Sequence, residues 1–208
     1  MTGTESQMPL PKSPVRAVIF TRYPIAGQAK TRLIPAIGGD NAARVHHMLT
    51  ERTVAVLKQC DCQLEVSITG ADEQAFANWL GKDLNFVTQP SGGLTERLLA
   101  AAEPAPVIFF GSDTPDLRAE HVNAALAALQ SHDAVIGPAH DGGYYLIGIR
   151  APAPFLFTDM PWSTDQVLPE TLRRLSQHNM TVYLTETLSD CDTPEDLEKW
   201  PWLTQISA

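Results

Sequence analysis

The chain has 208 residues, with 15 Lys and Arg against 24 Asp and Glu, a formal charge of -9 at neutral pH, and 44% hydrophobic residues. That length can bury one large core, and its acidity disfavours a general affinity for nucleic acid or anionic membrane. No apolar stretch approaches the roughly 18 residues needed to span a bilayer, so any phosphate site belongs to a local basic patch on a non-membrane protein.

Residues 1–14 are polar and Pro-containing and lack a basic segment followed by an apolar one, which predicts a disordered start rather than a leader, with a single domain over 15–208. VRAVIF, residues 15–20, reads as a buried strand, and a loop carrying Pro24 and Gly27 follows. The spacing of Ala42, Val45, Leu49 and Val56 predicts a helix from near Asp40 to Lys58, with Asp40 as its cap. Strands and helices then alternate: QLEVSIT, DEQAFANWL, LNFVTQ, LTERLLAAA, APVIFF, RAEHVNAALAALQ and DAVIGP. YYLIGI follows without an intervening helix, which predicts one antiparallel pairing in a sheet that is otherwise parallel and covered by helices on both faces. Ser163 with Gln166 reads as a capping box opening a helix that places Leu168, Leu172 and Leu175 on one face. TVYLTE is a further strand, and Thr193, Pro194 and Asp196 give a helix start. Cys60, Cys62 and Cys191 leave an odd cysteine and match no zinc spacing, as expected of reduced thiols in a cytoplasmic protein.

In open parallel sheets, ligands bind outside the carboxyl ends of the strands. Polar clusters fall there. RYPIAGQAKTRL follows the first strand and supplies Arg22, Lys30 and Arg32 beside Gly27, cations and flexible backbone suited to phosphates. It is not a Walker A loop, because the Gly before the Lys and the required spacing are missing. GSDTPD, residues 111–116, puts Asp113 and Asp116 just past a buried strand, where a carboxylate either forms a turn or holds a metal against phosphates. Asp113, nearer the strand end, is the expected ligand, and Asp116 is expected to start the next helix. In PSGGLTERL, Gly92 and Gly93 open a helix so that backbone can approach a flat ligand, with Gln89 placed to read a base edge. HDGGYYLIG sets Gly142 and Gly143 between Asp141 and two aromatics. It reads equally as a hairpin turn and as a pocket wall in which Asp141 binds metal or accepts a proton. Asp190 and Asp192 precede the last helix start and either close a metal shell opposite Asp113 or serve as caps. Tyr144, Trp162 and Ser163 are candidates for the acceptor side. The histidines form no metal-ligand spacing and read as solvated or structural.

Together RYPIAGQAKTRL, GSDTPDL, IGPAHDGGYYLIG, the Trp-Ser-Thr at 162–164 and DCDTPEDL resemble a small GT-A-fold glycosyltransferase family, also labelled radical-SAM/selenodomain-associated or arsenosugar-biosynthesis transferases. The resemblance spans roughly residues 15 to 200. It implies an α/β, Rossmann-like three-layer sandwich with a mixed, mostly parallel sheet. It also implies a divalent metal, Mg²⁺ or Mn²⁺, on Asp113 with Asp190 or Asp192, and nucleotide phosphates at Lys30 and Arg32. The wider superfamily includes nucleotidylyltransferases such as the molybdenum-cofactor and phospholactate enzymes. The family's Gly-rich segment reads close to G-D-L-G-E-R, whereas Gly93 and Thr95 stand here where Asp and Gly are expected. A Thr side chain at that place is expected to narrow the nucleotide pocket, change base preference or weaken donor binding.

The expected function is therefore metal-dependent transfer from a nucleotide-activated donor to a small acceptor, with Lys30, Arg32, Asp113 and Asp141 as the chemical residues. Glycosyl transfer from a nucleoside-diphosphate sugar is the first reading. The alternative is nucleotidyl transfer from a triphosphate to a phosphorylated or acidic acceptor, which the Lys-Thr-Arg loop favours because it suits β and γ phosphates. A nucleotide-binding module without turnover is the third.

Overall fold

In the computed structural model, which describes residues 14–205, the predicted alternation becomes a seven-stranded sheet of order β3-β2-β1-β4-β6-β5-β7. The strands are β1 (Arg16–Arg22), β2 (Gln63–Thr69), β3 (Asn85–Thr88), β4 (Val107–Phe110), β5 (Ala134–Pro138), β6 (Tyr144–Ile149) and β7 (Val182–Leu184). β6 lies antiparallel between β4 and β5, and every other pairing is parallel. The expected mixed sheet is therefore present, with YYLIGI as its one reversed strand. The predicted loose segment lies, up to residue 13, outside the described residues.

Six α-helices cover the sheet: α1 (Ile34–Leu57), α2 (Glu73–Leu80), α3 (Leu94–Ala101), α4 (Ala119–Ala128), α5 (Val167–Gln177) and α6 (Pro194–Leu197). Because successive strand residues point to opposite faces, Ala17, Ile19, Ile108 and Phe110 pack with α1, α2 and α4 residues such as Val54, Phe76 and Val122. Val18, Val107 and Phe109 pack the other way, with Leu98 of α3 and Leu175 of α5. A third cluster decides where the functional acids lie. Leu33, Val45 and Leu49 bury Cys191, Leu197 and Trp200, so the C-terminal segment is clamped onto α1 beside the first loop. None of the described helices is long and apolar enough to cross a membrane.

Local expectations fail in instructive places. α1 is broken at Gly38, whose φ of 79° is outside helical geometry, so Asp40 sits past the break instead of capping the helix. The Ser163–Gln166 box does not form: Ser163 takes a left-handed φ of 64°, and Thr164 Oγ1 accepts from Gln166 N instead, at 3.3 Å. Asp116 does not start α4. Its carboxylate accepts the indole N–H of Trp200 at 3.1 Å, and His121 Nδ1 accepts from Arg118 N at the helix start. The last helix start behaves as predicted, with Asp196 Oδ2 accepting from Thr193 N at 3.0 Å. All three cysteines are free, and burial pushes the Cys191 thiol up to about 11, which leaves it unreactive.

Candidate active site

The loop after β1 folds back on itself, with Arg22 Nη1 donating to Gln28 O at 2.7 Å. It ends at Lys30, held in left-handed geometry with φ 47°, which turns the side chain inward. Only 7% of that side chain is exposed, and its ammonium lies 3.2 Å from Asp113 Oδ2 and 2.6 Å from Asp192 Oδ1. Arg32 approaches Asp192 Oδ2 at 3.6 Å from the solvent side. Asp113 and Asp192 are brought together by a backbone tie, Cys191 N donating to Asp113 O at 2.9 Å. Burial alone would discharge Lys30, but the two carboxylates outweigh it and hold the ammonium well above the usual lysine range.

Asp190 is set deeper, with Thr114 Oγ1 donating to its Oδ1 at 2.6 Å. Burial pushes its carboxyl up to about 7, and Asp113 and Asp141 add to that shift against the pull of Thr114 and Lys30. An acid whose folded pKa is raised binds its proton more tightly in the native state. The stability it gives is thus present at low pH and lost as pH rises from about 4 to about 7. Asp190→Asn is expected to match the wild type near pH 4 and to exceed it in thermal stability at pH 8. Melting curves at the two pH values test this, and parallel pH profiles would remove Asp190 as the source.

Two clefts run into one another at the carboxyl ends of the strands. One of about 280 Å³ is walled by Lys30, Arg32, Asp113 and Asp192. The other, about 200 Å³, is walled by Phe20, Thr69, Gln89 and Arg97, and both share Arg22, His46 and Ser112. A larger concavity of about 500 Å³ runs along α1 by Pro24, Arg44 and His47, but none of the clustered acids reaches it. The smaller pair combines concavity with convergent charge and is the better candidate site.

The structure thus gathers Arg22, Lys30, Arg32, Gln89, Asp113 and Asp192 along one cleft, with Asp190 behind. Other predicted residues are committed elsewhere. Gly27 packs against the α1 break, where a Cβ on Gly39 would meet its nitrogen at 3.3 Å. Gly92 and Gly93 are exposed beside Glu96, whose carboxylate accepts from Gly93 N at 2.7 Å, so that N–H is engaged within its own helix start. Asp141 accepts from Gly143 N at 2.9 Å within the β5–β6 hairpin, yet stays near enough to Asp190 for its charge to add to the rise there, and Gly142 takes φ 89° at a place where a Cβ would strike Asp165 backbone at 2.5 Å. The Thr95 hydroxyl is engaged within the protein. It donates to Phe157 O at 2.9 Å and accepts from Trp162 Nε1 at 2.8 Å, tying the Gly-rich segment to the 162–164 turn. Trp162 meets Tyr144 edge-on at 6.4 Å, and the Tyr144 hydroxyl is buried, so both sit under α3 and α5 rather than in the cleft walls. Ser163 is exposed beside them.

Sequence reasoning did not single out His46 or Arg97 for the cleft. His46 is buried and donates Nε2–H to Arg22 O at 2.9 Å, since a carbonyl can only accept, and burial lowers its pKa so that it stays neutral while pinning the basic loop. Arg97 sits in a helix already explained by periodicity, which hid it. Among the described residues, no three Asp, Glu, His or Cys side chains form a ready metal cage, and Lys30 stands between Asp113 and Asp192. The expected pairing of Asp113 with Asp190 or Asp192 is therefore not preformed as a cage among the described residues. The donor set still fits Mg²⁺ or Mn²⁺, which needs only one or two carboxylates besides phosphate oxygens, and a cation would offset the charge that Asp190 meets from Asp113 and Asp141.

Residues 28–164 match the family model described as "Uncharacterized protein conserved in bacteria (DUF2064)". Over 106 residues the chain is 38% identical to a 3-phospho-D-glycerate guanylyltransferase of Phenylobacterium zucineum, a match covering 48% of this chain and 47% of that protein. The chain thus spans about half the length of the curated relative it matches. An inferred nucleotide-diphospho-sugar transferase from Desulfovibrio desulfuricans is 31% identical with a TM-score of 0.85, over 94% of this chain and 90% of that one. The 4-diphosphocytidyl-2C-methyl-D-erythritol synthase of Anaerococcus prevotii shares the fold, at 13% identity and a TM-score of 0.59 over 93% of this chain and 97% of that one.

Proposed function

The chain belongs to the DUF2064 family of bacterial proteins, and we propose that it is a nucleotidylyltransferase. It transfers a nucleoside monophosphate from a triphosphate to a small phosphorylated or acidic acceptor and releases pyrophosphate. The observation that carries this reading is Lys30, a buried ammonium held charged between Asp113 and Asp192 at the end of a cleft that also bears Arg22 and Arg32. Three cations beside an acid cluster suit the β and γ phosphates of a triphosphate with its metal, a larger charge than a sugar donor brings. The guanylyltransferase relative supports the same choice over glycosyl transfer, the first expectation from sequence.

An acceptor oxygen attacks the α-phosphorus, the bond to the bridging oxygen breaks, and pyrophosphate leaves with the electron pair. Lys30 has three N–H donors, of which two face carboxylates, so one is free for the departing phosphates. Arg22 and Arg32 spread the remaining charge, and His46 keeps Arg22 in place. Asp113 and Asp190 are the residues that would hold Mg²⁺ or Mn²⁺, which when bound neutralises phosphate charge. A phosphate or carboxylate acceptor is already ionised at neutral pH and needs no base, so no step depends on Asp141, one oxygen of which accepts within its own turn.

The test is incubation with labelled triphosphates, Mg²⁺ and phosphorylated carboxylic acids. Acceptor-dependent pyrophosphate release is expected. Release of nucleoside diphosphate from a sugar nucleotide, with no pyrophosphate from any triphosphate, would favour the glycosyl reading, and binding without consumption of either donor would favour the non-catalytic module.

A further inference from the structure

The part of the cleft away from the acids holds two polar side chains that the transfer chemistry does not use. Gln89 donates its amide NH₂ to Thr21 O at 3.1 Å and to Ser67 O at 2.7 Å. Both partners are backbone carbonyls, which only accept, so the amide cannot be turned round: its nitrogen faces β1 and β2 and its Oε1 faces away. Among the described residues that oxygen receives no hydrogen bond. Across the same cleft, the guanidinium of Arg97 makes neither a hydrogen bond nor an ion pair with any described residue, and its Nε is buried with no partner. Buried donors in folded proteins are nearly always met, so an unmet one lining a cleft points to an absent acceptor. The site therefore offers a fixed acceptor beside an unsatisfied cationic donor.

We infer that this pair reads the nucleotide base by its keto edge, Arg97 donating to a ring carbonyl and Gln89 Oε1 accepting from the adjacent ring N–H. The inference rests on the nucleotide reading of the site. Guanine presents O6 beside N1–H and uracil presents O4 beside N3–H, both complementary to the pair. Adenine and cytosine present an amino donor beside a bare ring nitrogen, the reverse order, which sets donor against donor and lone pair against lone pair. Gln89 cannot flip to suit them without releasing two strand-end carbonyls, so the discrimination is built into the sheet. Arg97 is in this sense a specificity-determining residue, distinct from the phosphate-binding cations of the first loop.

Calorimetry with Mg²⁺ and no acceptor tests it, using GTP, ITP, ATP, UTP and CTP. ITP keeps the keto edge of GTP without its 2-amino group, so the ITP to ATP ratio isolates the contact. GTP and ITP are expected to bind roughly ten- to hundredfold more tightly than ATP, and UTP to exceed CTP by a similar factor. The GTP to UTP ratio tells which keto base the cleft prefers. Arg97→Met is expected to bring the GTP to ATP ratio within about threefold while leaving ATP affinity nearly unchanged. Equal binding of ITP and ATP by the wild type overturns the inference, whether or not the variant folds. So does an equal loss for all five nucleotides in Arg97→Met, which would make Arg97 a phosphate or packing residue. Absence of any nucleotide binding overturns this inference and the transferase reading together. Keto preference with no pyrophosphate from any acceptor sinks the transferase reading alone.

Discussion

Asp113→Asn is expected to abolish Mg²⁺-dependent nucleotide binding and to lower transfer by at least about a hundredfold, because a metal supplies several kcal/mol of charge stabilisation at a phosphoryl centre. The fold should survive. Asparagine has nearly the same volume, and the tie that fixes this turn to the C-terminal segment runs from Cys191 N to the backbone oxygen of residue 113, which the substitution keeps. The side-chain exchange also changes the cluster's charge in an informative direction. In the wild type, Lys30 faces both Asp113 and Asp192, so these two acids offset much of the positive charge that Lys30 and Arg32 would otherwise offer phosphates. With Asn at this position the ammonium is balanced by one carboxylate only. Nucleotide affinity measured without metal should therefore stay level or rise, while the gain on adding Mg²⁺ or Mn²⁺ disappears. Calorimetric titration of GTP with and without metal reads both. An Mg²⁺ dependence that persists at wild-type strength would falsify the assignment of Asp113 as a ligand.

The sheet and its chain order were legible because buried strands leave a simple mark: APVIFF and AVIGP are apolar throughout, as strands covered on both faces must be. The carboxyl-end clusters were legible for a related reason, since loops after parallel strands gather on one side and Lys30, Asp113 and Asp192 were each read from such a loop. Their pairing was not, because contacts across 162 residues, as between Lys30 and Asp192, are set by how the third core cluster clamps Cys191 and Trp200 onto α1. Capping signals misled where a rival geometry won. Gly38 adopts a positive φ that breaks α1 before Asp40 can cap it, and Ser163 takes a left-handed φ while Thr164 Oγ1 accepts from Gln166 N. Thr95 shows the same limit. Its position in the Gly-rich segment was plain, but whether its hydroxyl met a ligand or the Trp162 indole depended on packing between α3 and the 162–164 turn. His46 lay in a helical pattern with a second His beside it, and nothing local distinguished the one that pins the basic loop from the one that stacks on Trp79.

Lys30→Met is expected to lower transfer by roughly two to three orders of magnitude, the usual loss when one aimed donor at a developing charge is removed. Methionine keeps the unbranched stem in a slot where only 7% of the side chain is exposed, so packing is largely retained. Stability should fall only modestly, because Asp113 and Asp192 are 33% and 40% exposed and water can take over part of what the ammonium supplied. Lys30→Arg is not a conservative alternative, since a planar fork does not fit the place of a compact ammonium between two carboxylates. Two measurements separate a phosphate contact from mere neutralisation of the acids. Nucleotide binding by Lys30→Met should depend less on salt than in the wild type, as one cation–phosphate contact is gone. Mn²⁺ alone should bind the variant more tightly, because Asp113 no longer has the Lys30 ammonium as an internal partner, yet excess Mn²⁺ should fail to restore transfer. Full recovery with Mn²⁺ would mean that Lys30 only balances the acids. Continued loss means that its third N–H, the one not facing Asp113 or Asp192, acts on the phosphates themselves.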